Sequence, residues 1–140
     1  MRLLFPALQR RFKADDALRR LGKALFQGFS REPLKSGFPY VEADATNEEP
    51  LRTFGVDGMA LTVGFQIHTH AQRTRECEQI MEQMRRVFDA ASIKTAQIVV
   101  WKCELVTEEG PSVEAGVRKG LMEFDVAYDM RHLQPIVRYA

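Results

Sequence analysis

The chain has 140 residues, of which 45% are hydrophobic and 28% charged, and its net charge is +1. That length suits one domain, 1–140, large enough to bury a core, and so small a net charge supplies no global pull towards nucleic acid or membrane. No window reaches the roughly 18 apolar residues of a membrane span, and the opening Met-Arg-Leu-Leu-Phe-Pro does not read as a signal peptide, because its apolar run stops at Pro6 and a basic stretch follows.

The first segment, residues 3–27, is helical in pattern. Leu4, Leu8 and Phe12 fall on one face, and Leu18, Leu21 and Leu25 continue a stripe. Pro6 suits a first turn. Lys13-Ala14-Asp15-Asp16 is a candidate break, with an Asp as N-cap of a second short helix from Ala17. Residues 28–39 are loop-like, being rich in Gly, Pro and Ser. Tyr40 to Ala45 alternates and predicts a strand, which Pro39 enters without needing a ladder N–H.

Residues 46–58 read as a long polar loop, a natural arm in an assembly protein. In the next predicted strand Leu61, Val63, Phe65 and Ile67 face one way, and Thr62, Gly64, Gln66 and His68 the other. One long amphipathic helix is expected over roughly Thr74 to Ala91, with Cys77, Ile80, Met81, Met84, Val87, Phe88 and Ala91 as its apolar stripe. Thr69 with Gln72, or Thr74, is its candidate start. Strands Ile98 to Val106 and Leu121 to Met130 follow as an antiparallel hairpin, with 107–116 as a turn or tip and 131–140 as a short tail. The expected fold is α+β in the order α-β-β-α-β-β. Its four-stranded, mainly antiparallel sheet carries the long helix on one face, and the N-terminal helix covers the same face or an edge.

Little in the sequence carries catalytic chemistry. His68 and His70 share a face at a strand end, but Asp44, Glu76 and His132 are unsignalled as a third ligand. Cys77 and Cys103 lie on apolar stripes, and so read as reduced packing residues that favour synthesis in the cytoplasm. No phosphate-cradling glycine loop or nucleophile elbow is present. No enzyme, cofactor or metal is expected.

Charge is uneven along the chain. Residues 1–40 hold nine Lys/Arg and three Asp/Glu, a net of +6, whereas 41–58 hold five acids and one Arg, a net of −4. Either these are two solvated faces, or a basic end and an acidic loop bring identical subunits together head to tail. Arg10, Arg11, Lys13, Arg19, Arg20 and Lys23 form a solvated face, a phosphate-contacting face or a subunit interface. The phosphate reading lacks the interleaved aromatics of a stacking platform.

The opening helix with Leu4, Leu8, Phe12, Leu18 and Leu21, Pro39-Tyr40-Val41 entering a strand, the strand Leu61 to Ile67, the helix Cys77 to Phe88 and the closing Leu121-Met122-Glu123-Phe124-Asp125-Val126 together resemble the tail-completion, or tail-terminator, minor tail proteins of long-tailed bacteriophages. The likeness covers about residues 1–130. It departs from the family at Ile67-His68-Thr69-His70 and in the acidity of 46–58. The resemblance implies a non-enzymatic virion protein, made in the host cytoplasm and placed in the tail or neck. It implies a six-fold ring that caps the completed tail tube, meets a head-side connector or stopper, and lets DNA pass through its lumen without sequence-specific binding.

Loop length and charge select Glu48, Glu49, Arg52 and Phe54 in the first arm, and Glu108, Glu109 and Val113 in the second, as interface residues. Another neck subunit, of head-completion or connector type, is the alternative. A nucleic-acid-binding regulator using the basic N-terminal helix is the second.

Overall fold

A computed structural model describes residues 1–30, 37–53 and 56–131, with the backbone alone for Arg52, Thr53 and Val56. The N-terminal segment forms two helices, with the break within the candidate stretch Lys13-Ala14-Asp15-Asp16. α1 (Leu4–Ala14) buries Leu4, Ala7, Leu8 and Phe12 on one side. Asp15 then interrupts the run, and its carboxylate accepts the Leu18 N–H at 2.9 Å to cap α2 (Asp16–Leu21). The helical pattern does not continue to residue 27, because Leu25–Gln27 is β1, a short strand parallel to the start of β2.

The sheet is larger than the alternation predicts. β2 (Tyr40–Thr53) and β3 (Val56–His70) pair antiparallel along their whole length, so most of the expected loop at 46–58 is hairpin. Likewise β5 (Ile98–Glu114) and β6 (Val117–Met130) pair almost to their tip, and the expected turn at 107–116 is mostly ladder. Only Ala115 and Gly116 are left to turn the chain. Both have positive φ, 51° and 79°, as a type I′ hairpin turn requires. With β4 (Ile93–Lys94) the order is β1-β2-β3-β6-β5-β4, a six-stranded, curled, mixed sheet shaped like a half-barrel. The expected four-stranded sheet with one long helix is therefore wrong. Alternation marks a strand only where one face is buried, and the outer parts of the edge strands β2 and β5 extend beyond the helices. There Thr46 to Pro50 and Thr107 to Gly110 are exposed and their sequence is polar.

α3 (Glu76–Phe88) is shorter than the predicted Thr74–Ala91. Its stripe of Cys77, Ile80, Met81, Met84, Val87 and Phe88 is buried as expected. The stripe sits on Val63, Phe65, Ile67, Met122 and Phe124, which successive strands present on one side of the sheet. Phe65, Phe88 and Phe124 pack together with ring centroids 5.3–6.4 Å apart. Gly120 lies beneath the helix, where a Cβ would run into Met81 Sδ. α1 and α2 cover the same side. Gln9 reaches the Leu25 carbonyl, and Arg11 Nε donates to Val87 O at 2.7 Å, tying α1 to the end of α3.

Beyond the short covers of β1 and β4, the outer parts of β2 and β5 have no further strand alongside among the described residues. Both stretches are irregular. β2 shifts register between Thr46 and Glu49, around Asn47 in the left-handed region, and β5 shifts three times. Pro50 and Pro111 stand in these stretches. Bulges and prolines blunt an open edge against strand-to-strand joining.

Phe124→Ala should therefore lower unfolding stability by about 3–5 kcal/mol, a large part of the roughly 5–15 kcal/mol a domain has. Urea titration of both forms checks this, and a loss under about 1 kcal/mol would contradict the placing of the core.

Candidate functional site

With all three helices on one side, the other face of the sheet is left open. Cross-strand partners share a face, and the register puts Ala60 opposite Ala127, Thr62 opposite Asp125 and Lys102 opposite Ala127 on this open side. The small Ala60 and Ala127 side chains make a low floor. Asn47, Glu49 and Leu51 on one side, and Trp101 and Lys102 on the other, wall a groove of about 390 Å³.

Trp101 owes its position to a bulge. Val100 pairs with Tyr128 and Lys102 with Ala127, so Trp101 has no partner of its own and is pushed outward. It is 55% exposed, and its indole N–H reaches Asp129 Oδ1 at 3.3 Å. Tryptophan, with an apolar body and a polar N–H, is a side chain enriched at protein interfaces.

The open face is also acidic. Asp44, Glu49, Glu104, Glu123, Asp125 and Asp129 project from it against Lys102 and Lys119, and none of these six carboxylates is ion-paired among the described residues. On the covered side, Arg10, Lys13, Arg20 and Lys23 are exposed on and beside α1 and α2, and they also lack a carboxylate partner among the described residues. The open face is thus net acidic, although Lys94 stands on it beside Lys102 and Lys119, and the α1–α2 surface is net basic.

One polar cluster on the open side is buried, at the end near β1. Glu42 and His68 are 1% and 4% exposed, with Oε1 and Nε2 2.9 Å apart. Glu42 Oε2 accepts from both the backbone N–H and the hydroxyl of Ser30, at 3.0 and 2.7 Å. Tyr40 stacks on His68 with centroids 4.4 Å apart, and Phe38 stacks on Tyr40. The cluster therefore anchors both Ser30 and Phe38 to the sheet. Burial pushes the His68 pKa down. Nearby Lys119 acts in the same direction and Glu42 opposes both. Sequence reading missed Glu42 and Trp101. Glu42, one of two acids in the strand Tyr40 to Ala45, carried no marker of burial, and alternation alone gave no sign that Val99 and Trp101 face the open side while the bulge turns Cys103 and Leu105 inward.

The residues selected in advance fall into different settings. Glu49 walls the groove. Glu48 points away from it, and its Oε1 lies 2.7 Å from the Met1 amino group. Glu108 is tied to Arg85 of α3 on the covered side. Glu109 and Val113 are exposed near the tip of the second hairpin, Val113 by 52%. The Arg52 side chain, Phe54 and His132 lie outside the described residues. His68 and His70 do share a face, but His68 is buried against Glu42 while His70 is exposed and edge-on to Phe38. No group of three metal-ligating side chains occurs among the described residues. Cys77 and Cys103 are buried free thiols, and burial pushes their pKa values up to about 11 and about 12. Buried thiols so seldom ionised are packing groups, not nucleophiles.

No protein-family model matches the chain, and no curated protein matches it significantly. Solved structures do match its fold. One is a chain from the virion of a native gene transfer agent particle, with a TM-score of 0.67 at 16% identity over 89% of this chain and 92% of that one. Another, described by a sequence identifier alone, has a TM-score of 0.61 at 13% identity over 95% of this chain and 96% of the other. At these identities the likeness is one of fold.

The His68 environment sets a pH dependence. Its folded pKa lies below the ordinary 6.5, so the unfolded chain binds a proton that the folded chain refuses as pH falls through that value. Stability is thus full above pH 6.5 and declines below it until folded His68 itself protonates. Thermal unfolding from neutral pH to about pH 5 should show the decline, and His68→Gln should flatten it. An equally steep profile in the variant would assign the dependence to other groups.

Proposed function

We propose that this chain is a structural protein of a phage-like virion, and that it works as a tail terminator. Its copies form a ring, hexameric in the resembling family, on the end of the completed tail tube. One side of the ring meets the tube and the other the head-side connector or stopper, while DNA passes through the lumen without sequence-specific contact. The role is non-enzymatic.

The observation that carries this reading is the likeness to a gene transfer agent virion chain across nearly the full length of both molecules. Three features of the molecule are consistent with assembly. Its core is one rigid helix–sheet layer. Its edge strands β2 and β5 run on past the helices as exposed, ordered stretches that a neighbour can meet. Its open sheet face is charged oppositely to its helical face, which suits contacts between non-identical surfaces of identical subunits. In this reading Glu49, Glu109 and Val113 act from the arms, while Glu48 and Glu108 serve first to hold the arms to the body.

Electron microscopy of particles assembled without this chain tests the role. Overlong or unjoined tails beside DNA-filled heads are expected. Tails of normal length joined to heads, with normal infectivity, would remove the terminator function. Normal tubes beside heads that leak or fail to join would shift the chain to a head-side position in the neck.

A further inference from the structure

We propose that the open sheet face is the seat for the basic helical surface of a second copy of this chain, with a cation from α1–α2 of the incoming copy seated on Trp101 beside Asp125 and Asp129. The proposal rests on the ring-subunit reading above and names the two surfaces that meet.

Three independent features converge on one groove. Its floor is low because Ala60 faces Ala127, so an incoming side chain has somewhere to go. Its wall is an outward-turned Trp101, 55% exposed, with its indole fixed through Asp129. Its rim carries unpaired carboxylates, Asp125 from β6 and Glu49 from β2 among them. An aromatic ring flanked by carboxylates suits an Arg or Lys, which gains a cation–π contact and an ion pair together. It does not suit a nucleic acid, whose phosphates the carboxylates would repel.

The matching cations are in the same chain but out of its own reach. Arg10, Lys13, Arg20 and Lys23 lie on the helical side, with the full thickness of the sheet between them and the groove. Among the described residues Lys102 is the one cation that lines the groove, and the α1–α2 cations can reach it only from another molecule. Because donor and acceptor surfaces lie on opposite sides of one subunit, the contact is heterologous. It repeats from copy to copy and closes into a ring if the rotation permits. The blunted edges of β2 and β5 leave faces, rather than strand edges, as the means of joining.

Complementary charge variants of the full chain test this by sedimentation velocity in low salt. Asp125→Lys removes the acceptor surface, and a combined Arg20→Glu, Lys23→Glu form removes the donor. The wild-type chain should self-associate, more weakly as salt rises. Each variant alone should associate roughly tenfold more weakly or worse, the scale of one lost charge-assisted contact. Their mixture should regain association but stop at a one-to-one pair, because each retains a single working surface. Trp101→Ala, which leaves the charges alone, should weaken association to a similar degree, and circular dichroism would confirm that each variant folds. The proposal is overturned if the wild type stays monomeric at its highest soluble concentration, if both variants associate as the wild type does, or if the mixture gains nothing. It is overturned equally if the donor variant loses binding to duplex DNA while self-association stays unchanged. Association as predicted by a chain absent from purified particles would spare this inference and defeat the virion role. The reverse pattern would spare the role and defeat the inference.

Discussion

Phe65, Phe88 and Phe124 fasten the helices to a single side of the sheet, and the remaining features follow from that one-sidedness. The three rings meet at the centre of the sheet, where Gly120 lets α3 come down close. α1 joins the same layer through Leu4, Leu8 and Phe12 and is held to α3 by Arg11. A layer built this way buries one face and, among the described residues, leaves the other open except at the end where Ser30 and Phe38 close over Glu42 and His68. The open face must then be water-compatible, which explains its carboxylates. The first two helices, in contrast, present a basic surface.

The same constraint shapes the hairpins. Helices of 11, 6 and 13 residues cannot span strands of 14 to 17, so, while β3 and β6 stay paired between them, the edge strands β2 and β5 run out past the helices at Thr46 to Pro50 and Thr107 to Gly110. There they have no packing to fix them and rely on local devices instead. These include the Ala115-Gly116 turn, the Asn47 bulge and the ties of Glu48 to the N-terminus and of Glu108 to Arg85. An ordered arm with a blunted edge can contact a neighbour through its side chains without inviting uncontrolled strand pairing.

Much of the central layer was legible in the sequence. The period of the α3 stripe, the alternation from Leu61 to Ile67 and the inward set Met122, Phe124, Val126 and Tyr128 all describe residues with one dry face and one wet one. The break at Asp15 was legible too, because a capping carboxylate is a local device. The arms were not. At Thr46 to Pro50 and Thr107 to Gly110 both sides of the strand are wet, so a polar run there reads as loop. β1 and β4 are too short to show a period, and β1 was absorbed into a helical stripe through Leu25. The site suffered for a related reason. Trp101 stands in an alternating run, and the unpaired bulge there shifts the phase, so that Val99 and Trp101 face the open side whereas Cys103 and Leu105 face the core. Glu42 gave no hint that Ser30 and His68 would close over it.

Localisation within the particle tests the central claim most directly. Cryo-electron microscopy of purified particles should place this one-sided, six-stranded sheet in a ring between the last tube layer and the head-side connector. In that density each open sheet face should abut the helical face of the next copy. The same chain found elsewhere in the particle, or missing from particles that are complete and infectious, would contradict the account.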